Sequence, residues 1–354
     1  MISGNKGEWS EFYAFLKLLC DNKLYAADEN LEKLENLYFD ILKIIRTDNG
    51  EPYDYKPNSQ NEKIQIWFNN QLKAEFEKSE FKKHTEFLLE FIKSMTSASS
   101  CDSIEKFMSR IFCTKLKAPS DTKSDITMQL HDPQTGYNPI CGFSIKSELG
   151  SKPTLLNASL ATNFQFEIVN FNANEIDKIN SIDTRSKIKD RLEKLSKYKF
   201  RFVSLKSENF ENNLSLIDTM MPNILAHSLQ YYYAGLANSC TEICNILKEK
   251  NPLNVKKPEI FYTYKFKKFL CSIALGMVPN SIWNGEDEAN GGYIIVREDG
   301  EVLAYHIYNR NFFEEYLLKN TKFDKASTSK HKHSTLYVND NKVFLDLNLQ
   351  IRFK

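Results

Sequence analysis

The chain is poor in the residues that would set it apart from ordinary globular proteins. It has only 12 Gly and 10 Pro in 354 residues, which excludes collagen-like and low-complexity chains. It has almost no net charge: 47 Lys and Arg against 46 Asp and Glu leave +1, so no global field forces a polyanionic partner. Local basic stripes still bind phosphates, because affinity follows the charges at the interface. No run approaches the ~18 apolar residues of a membrane span. The longest candidates, around Phe269–Val278 and Phe87–Ile92, are short and flanked by charge. Residues 1–9 carry no charged-then-apolar leader of the kind that directs secretion. Cysteine is odd in number, with seven scattered residues. Only Cys240 and Cys244 are close, and no second Cys or His pair joins them at ligand spacing, so buried thiols are expected. These absences point to a soluble protein of a reducing compartment. Neither a Gly-rich phosphate loop nor a nucleophile elbow occurs. His84, His131, His227 and His306 lack partners at ligand or triad spacing and read as structural or surface residues.

What is present is core material. Apolar residues make up 42% and aromatics 13%, and the length suggests roughly two domains. Trp9, Phe12, Leu16 and Leu19 predict an amphipathic helix over 8–20, with Glu8 and Glu11 one turn apart near its start. Leu31, Leu34, Tyr38, Ile41 and Ile45 predict a helix over 30–46, ended by Asp48-Asn49-Gly50-Glu51-Pro52. Ile64–Phe68 reads as a short strand, and 70–95 and 102–112 as helices. From 115 the period changes. Ser124–Leu130 and Gly142–Ser147 are apolar alternations joined by turn chemistry at Asp132-Pro133-Gln134-Thr135-Gly136. Phe164–Phe171 and Arg201–Leu205 read as strands around a charged helix over 174–200, and 209–249 as helices around Pro222. Gly291–Arg297 and Val302–Tyr308 form a hairpin, and Val343–Arg352 a last strand. Helices and strands are mixed in order, which gives an α/β or α+β class.

The segment Lys123-Ser124-Asp125-Ile126 and the strand Gly142-Phe143-Ser144-Ile145-Lys146-Ser147-Glu148 are the most informative. As neighbouring strands they set Asp125 at the start of one and Ser144, Lys146 and Glu148 on one face of the other. A Lys on a half-buried strand is costly unless something there needs positive charge. An Asp holding a divalent cation beside such a Lys suits phosphodiester hydrolysis, since the cation offsets charge on the phosphate and the Lys orients the attacking water. The same residues also fit the plain polar alternation of a solvent-facing strand pair.

The Asp125…Ser144-Ile145-Lys146 arrangement resembles a degenerate PD-(D/E)xK nuclease signature. Longer strings are similar to the HpaII family of type II restriction endonucleases. They are Gly4-Asn5-Lys6-Gly7-Glu8-Trp9-Ser10-Glu11, Leu24-Tyr25-Ala26-Ala27-Asp28, Gly142 to Ser147 with Gly150 to Ser159, Gly291-Gly292-Tyr293-Ile294-Ile295-Val296, and Asp346 to Phe353. They span nearly the whole chain.

The resemblance implies an α/β PD-(D/E)xK-type restriction-endonuclease core, a mixed sheet flanked by helices with helical insertions. It implies Mg²⁺-dependent cleavage of double-stranded DNA at 5′-CCGG, a bacterial cytoplasmic location and a cognate DNA methyltransferase in the host, with a homodimer as one option. The corresponding division is a nuclease core over 1–205, with a mostly helical insertion at about 35–112. A recognition part over 206–354 follows, made of helices, hairpin and last strand. Asp125 matches the metal-binding Asp and Lys146 the catalytic Lys. Ser144 stands where the signature has a carboxylate, so a second metal ligand comes from elsewhere: Glu8 or Glu11 on the first helix, or Glu148. A nuclease of the same fold with another short target, or a DNA-binding module without cleavage, are the alternatives.

Base reading needs donors for guanine and acceptors for cytosine. Three basic stretches offer contacts: 185–201, 256–268 with its interleaved aromatics, and 319–333. The last, with Lys322, Ser327, Ser329, Lys330 and His331, has no apolar period and reads as a contact loop. Asn157 and Ser159 join it as DNA-binding candidates, because they lie in the family-like string after Lys146.

Overall fold

The computed structural model describes residues 2–58, 60–117, 124–133, 135–306 and 310–354. Lys123, Gln134, Tyr308 and the side chain of His306 lie outside the described part. Two compact units divide the chain: residues 1–153 with 287–316, and residues 154–286 with 317–354. The chain therefore passes between them three times rather than once at residue 205. The cause is long-range strand pairing, which the order of elements in a sequence does not display.

The first unit begins with the two-residue strand β1 (Ser3–Gly4) and helix α1 (Lys6–Asp21). Asn5 caps α1 by accepting from the Glu8 N–H at 3.0 Å, and the Glu8 carboxylate accepts from the Asn5 N–H at 2.9 Å. Asn22 ends the helix in the left-handed region, with φ 56°. Strands β2 (Lys23–Ala27), β3 (Lys33–Asp48), β4 (Glu51–Asn58), β5 (Lys63–Phe68) and β6 (Gln71–Glu77) follow. Then come α2 (Lys78–Ser94), β7 (Ser99–Ser100), α3 (Asp102–Arg110), β8 (Ile126–His131) and β9 (Ile140–Ser147).

The expected helix over 30–46 is thus a strand, and so is 71–77 at the head of the expected helix over 70–95. The insertion at about 35–112 is half sheet. In β3 an extra residue sits between Ile41 and Lys43 in the register with β8. Buried Phe39, Ile41 and Ile44 therefore depart from strict alternation, and the spacing of three imitates a helix. Asn49-Gly50, with φ 51° and 84°, is a two-residue hairpin turn rather than a helix stop. Asn69 and Asn70, both at positive φ, turn β5 into β6 in the same way.

Strand β8 pairs antiparallel with β9 and β3, as the alternation predicted for the first pair. The late hairpin returns to this sheet: Gly292–Val296 pairs parallel with β9, and Val302–His306 parallel with β2. Because β2 also pairs with β3, these strands close a six-membered ring, from which β4, β5 and β6 extend. Helix α1 is buried on nearly every side; Trp9, Phe12, Leu16 and Leu19 are all 0% exposed. Burying side chains of this size contributes about 2 kcal/mol each and fixes α1 against the sheet.

The second unit holds helices Glu208–Ile217, Met221–Tyr233, Cys240–Lys250 and Pro258–Leu275. Strand Asn163–Val169 pairs with Lys199–Leu205 and Lys342–Asn348, and Leu336–Asn339 extends that sheet. A three-stranded sheet joins Thr154–Leu156, Ile351–Phe353 and Thr321–Phe323. The helix expected over 174–200 is broken into Ile176–Asn180 and Lys187–Leu195, since Thr184 bonds Asp190 and accepts from the Ser186 N–H instead of extending it. All seven cysteines are buried and free, as expected. Burial pushes the Cys20 thiol up to about 11 and Cys240 up to about 12, so both stay protonated. Among the described residues, no helix is long and apolar enough to cross a membrane.

Candidate active site

Asp125 stands one residue before β8, with its N–H bonded to the Phe143 carbonyl at 2.8 Å. Its Oδ2 accepts from the Ile145 N–H at 2.6 Å and from the Ser144 hydroxyl at 3.1 Å. Buried Ser144 thus holds Asp125 in place through its hydroxyl. Both donors meet the same oxygen, Oδ2.

Helix α1 brings a second carboxylate within electrostatic reach of Asp125. The Trp9 indole donates to the Ser99 carbonyl at 3.0 Å and the Tyr13 hydroxyl to the Gly300 carbonyl at 2.7 Å, which fixes the roll of the helix. Glu11, between them, comes within electrostatic reach of Asp125, Lys146, Arg46 and Lys117. Its Oε2 is shielded from solvent and has no hydrogen-bond partner among the described residues. Burial first, and then the charge of Asp125, push its carboxyl up to about 8. Glu11, Ile145, Lys146 and Ser147 line one cleft of about 840 Å³ in this unit.

Glu8 is committed elsewhere. Besides capping α1 it pairs with Lys117 at 2.8 Å, and these hydrogen bonds hold its carboxyl below the usual range. Glu148 lies beyond the end of β9, donates its N–H to the Val296 carbonyl at 2.8 Å and reaches Lys152 at 3.8 Å. Glu11 feels the charges of both Asp125 and Lys146, whereas Glu148 lies within electrostatic reach of Tyr305 and Tyr316. Among the described residues no three or more His, Cys, Asp or Glu side chains converge on a point. Two carboxylates suffice for Mg²⁺, which keeps waters and takes phosphate oxygens for its remaining positions.

Two neighbours were missed in the sequence. Arg46, on the strand misread as a helix, lies over the Phe15 and Phe12 rings and acts on Glu11 by its charge. Tyr293 stands opposite Ser144 in the parallel register, and the Lys146 ammonium lies 5.7 Å from its ring centre. The preceding Gly291 admits this close pairing, since a Cβ there would lie 2.6 Å from the Phe143 ring. Its signal was the string Gly291-Gly292-Tyr293.

The DNA-binding candidates all fall in the second unit. Lys322 is on the short strand Thr321–Phe323, and Ser327 caps the single turn Thr328–His331, accepting from the Lys330 N–H at 3.4 Å. Ser327, Ser329 and Lys330 are exposed, and His331 partly so. The segment is thus less irregular than a contact loop, and buried His333, whose Nε2 lies 3.3 Å from the Ala326 carbonyl, anchors it. The Asn163 amide donates to the His331 carbonyl at 2.8 Å, and the Asn348 amide to the Asn163 oxygen and the Ser159 carbonyl. Ser159 therefore joins the 319–333 segment through two Asn side chains, whereas Asn157 stands exposed nearby in sequence.

The basic stretch 185–201 is partly structural. Buried Arg191 donates to the Ser334, Asn180 and Ile182 carbonyls. Arg191→Leu strands three acceptors, at about 1 kcal/mol each. Thermal or urea denaturation of the variant is expected to show a loss of about 3 kcal/mol, and an unchanged midpoint would contradict this role. In the 256–268 stretch, Lys265 is paired with Asp218.

A family model described as HpaII restriction endonuclease matches residues 5–353. The chain is 43% identical over 358 residues to the Type II restriction enzyme HpaII of Haemophilus parainfluenzae, with 99% of each chain covered. No solved structure matches it.

Proposed function

The chain belongs to the HpaII restriction endonuclease family and is a type II site-specific deoxyribonuclease; from that premise we propose that it cleaves both strands of duplex DNA at 5′-CCGG, with Mg²⁺ held by Asp125 and Glu11 in a PD-(D/E)xK-type core. The observation that carries the reading is the solvent-shielded, unpartnered Glu11 oxygen in reach of Asp125 and Lys146. A buried carboxylate without a partner is costly, and a cation between it and Asp125 removes both the repulsion and the unmet hydrogen-bonding capacity. When bound, the cation offsets charge building on the phosphate and acidifies coordinated water.

The remaining chemistry belongs to the chain's own side chains. Ser144 and the Ile145 N–H hold Asp125 in one orientation, so its free oxygen is presented without reorganisation. Lys146 contacts the scissile phosphate and orients the attacking water. Arg46 and Lys117 temper the acidic pair electrostatically, which keeps Glu11 near enough to ionisation to serve as a ligand. In the second unit, Lys322, Ser327, Ser329, Lys330 and His331 make phosphate and base contacts, with Ser159 and Asn157 alongside. The enzyme works in the bacterial cytoplasm, where a cognate methyltransferase protects the host's own sites, and a homodimer would present one site to each strand.

The test is digestion of plasmid DNA with Mg²⁺ and an EDTA control, with the fragment ends mapped. EDTA-sensitive ends at every CCGG are expected. Discrete ends elsewhere would overturn the target but not the chemistry. Retardation of DNA on a gel without any cutting would leave a binding module.

A further inference from the structure

Lys146 makes no ion pair among the described residues, although its ammonium is half-buried at the end of β9. What faces it is the ring of Tyr293, 5.7 Å away. Tyr293 is itself 1% exposed, and its ring packs against Phe313 at 5.1 Å. Phe313 continues to Tyr305 at 5.7 Å, and Tyr305 stacks on Tyr316 at 4.6 Å. The Tyr305 hydroxyl is tied to the Asp28 carbonyl at 2.7 Å, which locks the column to the turn after β2. The ring beneath the ammonium is therefore rigid, and parallel pairing of residues 292–296 with β9 sets its height against the strand.

A flexible four-carbon side chain that no ion pair or hydrogen bond fixes samples many rotamers, and each wrong rotamer removes the charge from the reacting phosphate. An aromatic face attracts the cation without neutralising it. A carboxylate in the same place would hold the ammonium but cancel the charge the reaction needs. We propose that Tyr293 is the positioning residue for Lys146: its buried ring, braced by Phe313 and Tyr305, holds the ammonium at the phosphate while leaving its charge unspent. The inference rests on the reading of Lys146 as the group that contacts the phosphate.

The experiment compares single-turnover cleavage and DNA affinity for Tyr293→Phe, Tyr293→Leu and Lys146→Ala. Tyr293→Phe keeps the face and is expected to cut at nearly the wild-type rate. Tyr293→Leu is expected to cut about tenfold more slowly with DNA affinity unchanged, the scale of one lost cation–π contact. Equal rates for Leu and Phe, or a loss of DNA binding that accounts for the whole effect, would overturn the positioning role. Wild-type cutting by Lys146→Ala would instead overturn the reading on which it rests, so the two failures are distinguishable. Because Tyr293 is buried, a second measurement avoids the dependence on folding of the Leu variant. In the wild-type protein carrying ¹³C-dimethylated lysines, the Lys146 resonance, identified by its absence in Lys146→Arg, is expected upfield of the solvated lysines through the ring current. A Lys146 resonance coincident with the solvated lysines would refute the stacked geometry.

Discussion

Lys146→Ala is expected to lower the cleavage rate at saturating DNA by about 10³-fold and to leave retardation of the same DNA on a gel unchanged. The split follows from where Lys146 stands. Its ammonium is one half-buried charge at the end of β9, whereas both units carry further exposed cations, Lys117 and Lys152 in the first and Lys330 in the second among them. Binding therefore keeps most of its phosphate contacts, while the transition state loses a donor placed in advance where charge accumulates. Lys146→Arg is not a conservative rescue, because a planar guanidinium is longer and does not present a point charge over Tyr293 in the same way. Single-turnover kinetics beside a binding isotherm checks both halves, and cutting at the wild-type rate by the Ala variant would sink the assignment.

Glu11→Gln is expected to reduce cleavage at least about 100-fold, the upper end of what is lost when only an orienting neighbour of a metal ligand is removed. It is also expected to change the response of the metal-free protein to pH. Burial and Asp125 raise the Glu11 carboxyl to about 8 in the folded chain, against an ordinary value near 4.5 when unfolded. Between those values the folded state binds the extra proton, so stability declines as pH climbs from about 4.5 to about 8. Gln carries no such proton, and the decline should flatten in the variant. Added Mg²⁺ should restore stability at pH 8 to the wild-type protein, since a ligand that binds only the folded state stabilises it, and should do so far less for Glu11→Gln. Urea denaturation at pH 5.5 and 8, with EDTA or with Mg²⁺, reads all of this. Parallel slopes for the two proteins in EDTA would show that Glu11 does not titrate where its surroundings place it.

The roles of Glu8 and Glu11 show how far residue order carries the site. One turn apart on α1, they were interchangeable as ligands in the sequence. Only the packing separates them: Asn5 and Lys117 take the first, and the second is left without a partner near Asp125. Strand β3 shows the same limit for the fold. Its branched and aromatic residues were a strand signal, but the bulge after Ile41 shifted its burial pattern to a helix-like spacing of three. That error hid Arg46, which reaches Glu11 only because β3 is extended.

Some features were decided by the amino-acid sequence alone. The β8–β9 pair, the amphipathic first helix, the late hairpin and the Asp125–Lys146 juxtaposition are local: each follows from side-chain period or turn chemistry over fewer than about 25 residues. The family strings placed the chain among restriction endonucleases, and one of them holds Gly291, where a Cβ would meet the Phe143 ring. Tertiary structure decided the rest. The closure of β2 through β3 and the hairpin, the passage of the chain between two units, the approach of Glu11 to Asp125 and the position of Lys146 over Tyr293 all join residues far apart in the chain. Such contacts depend on which buried faces remain to be covered once local elements have formed, and no short-range pattern encodes that choice.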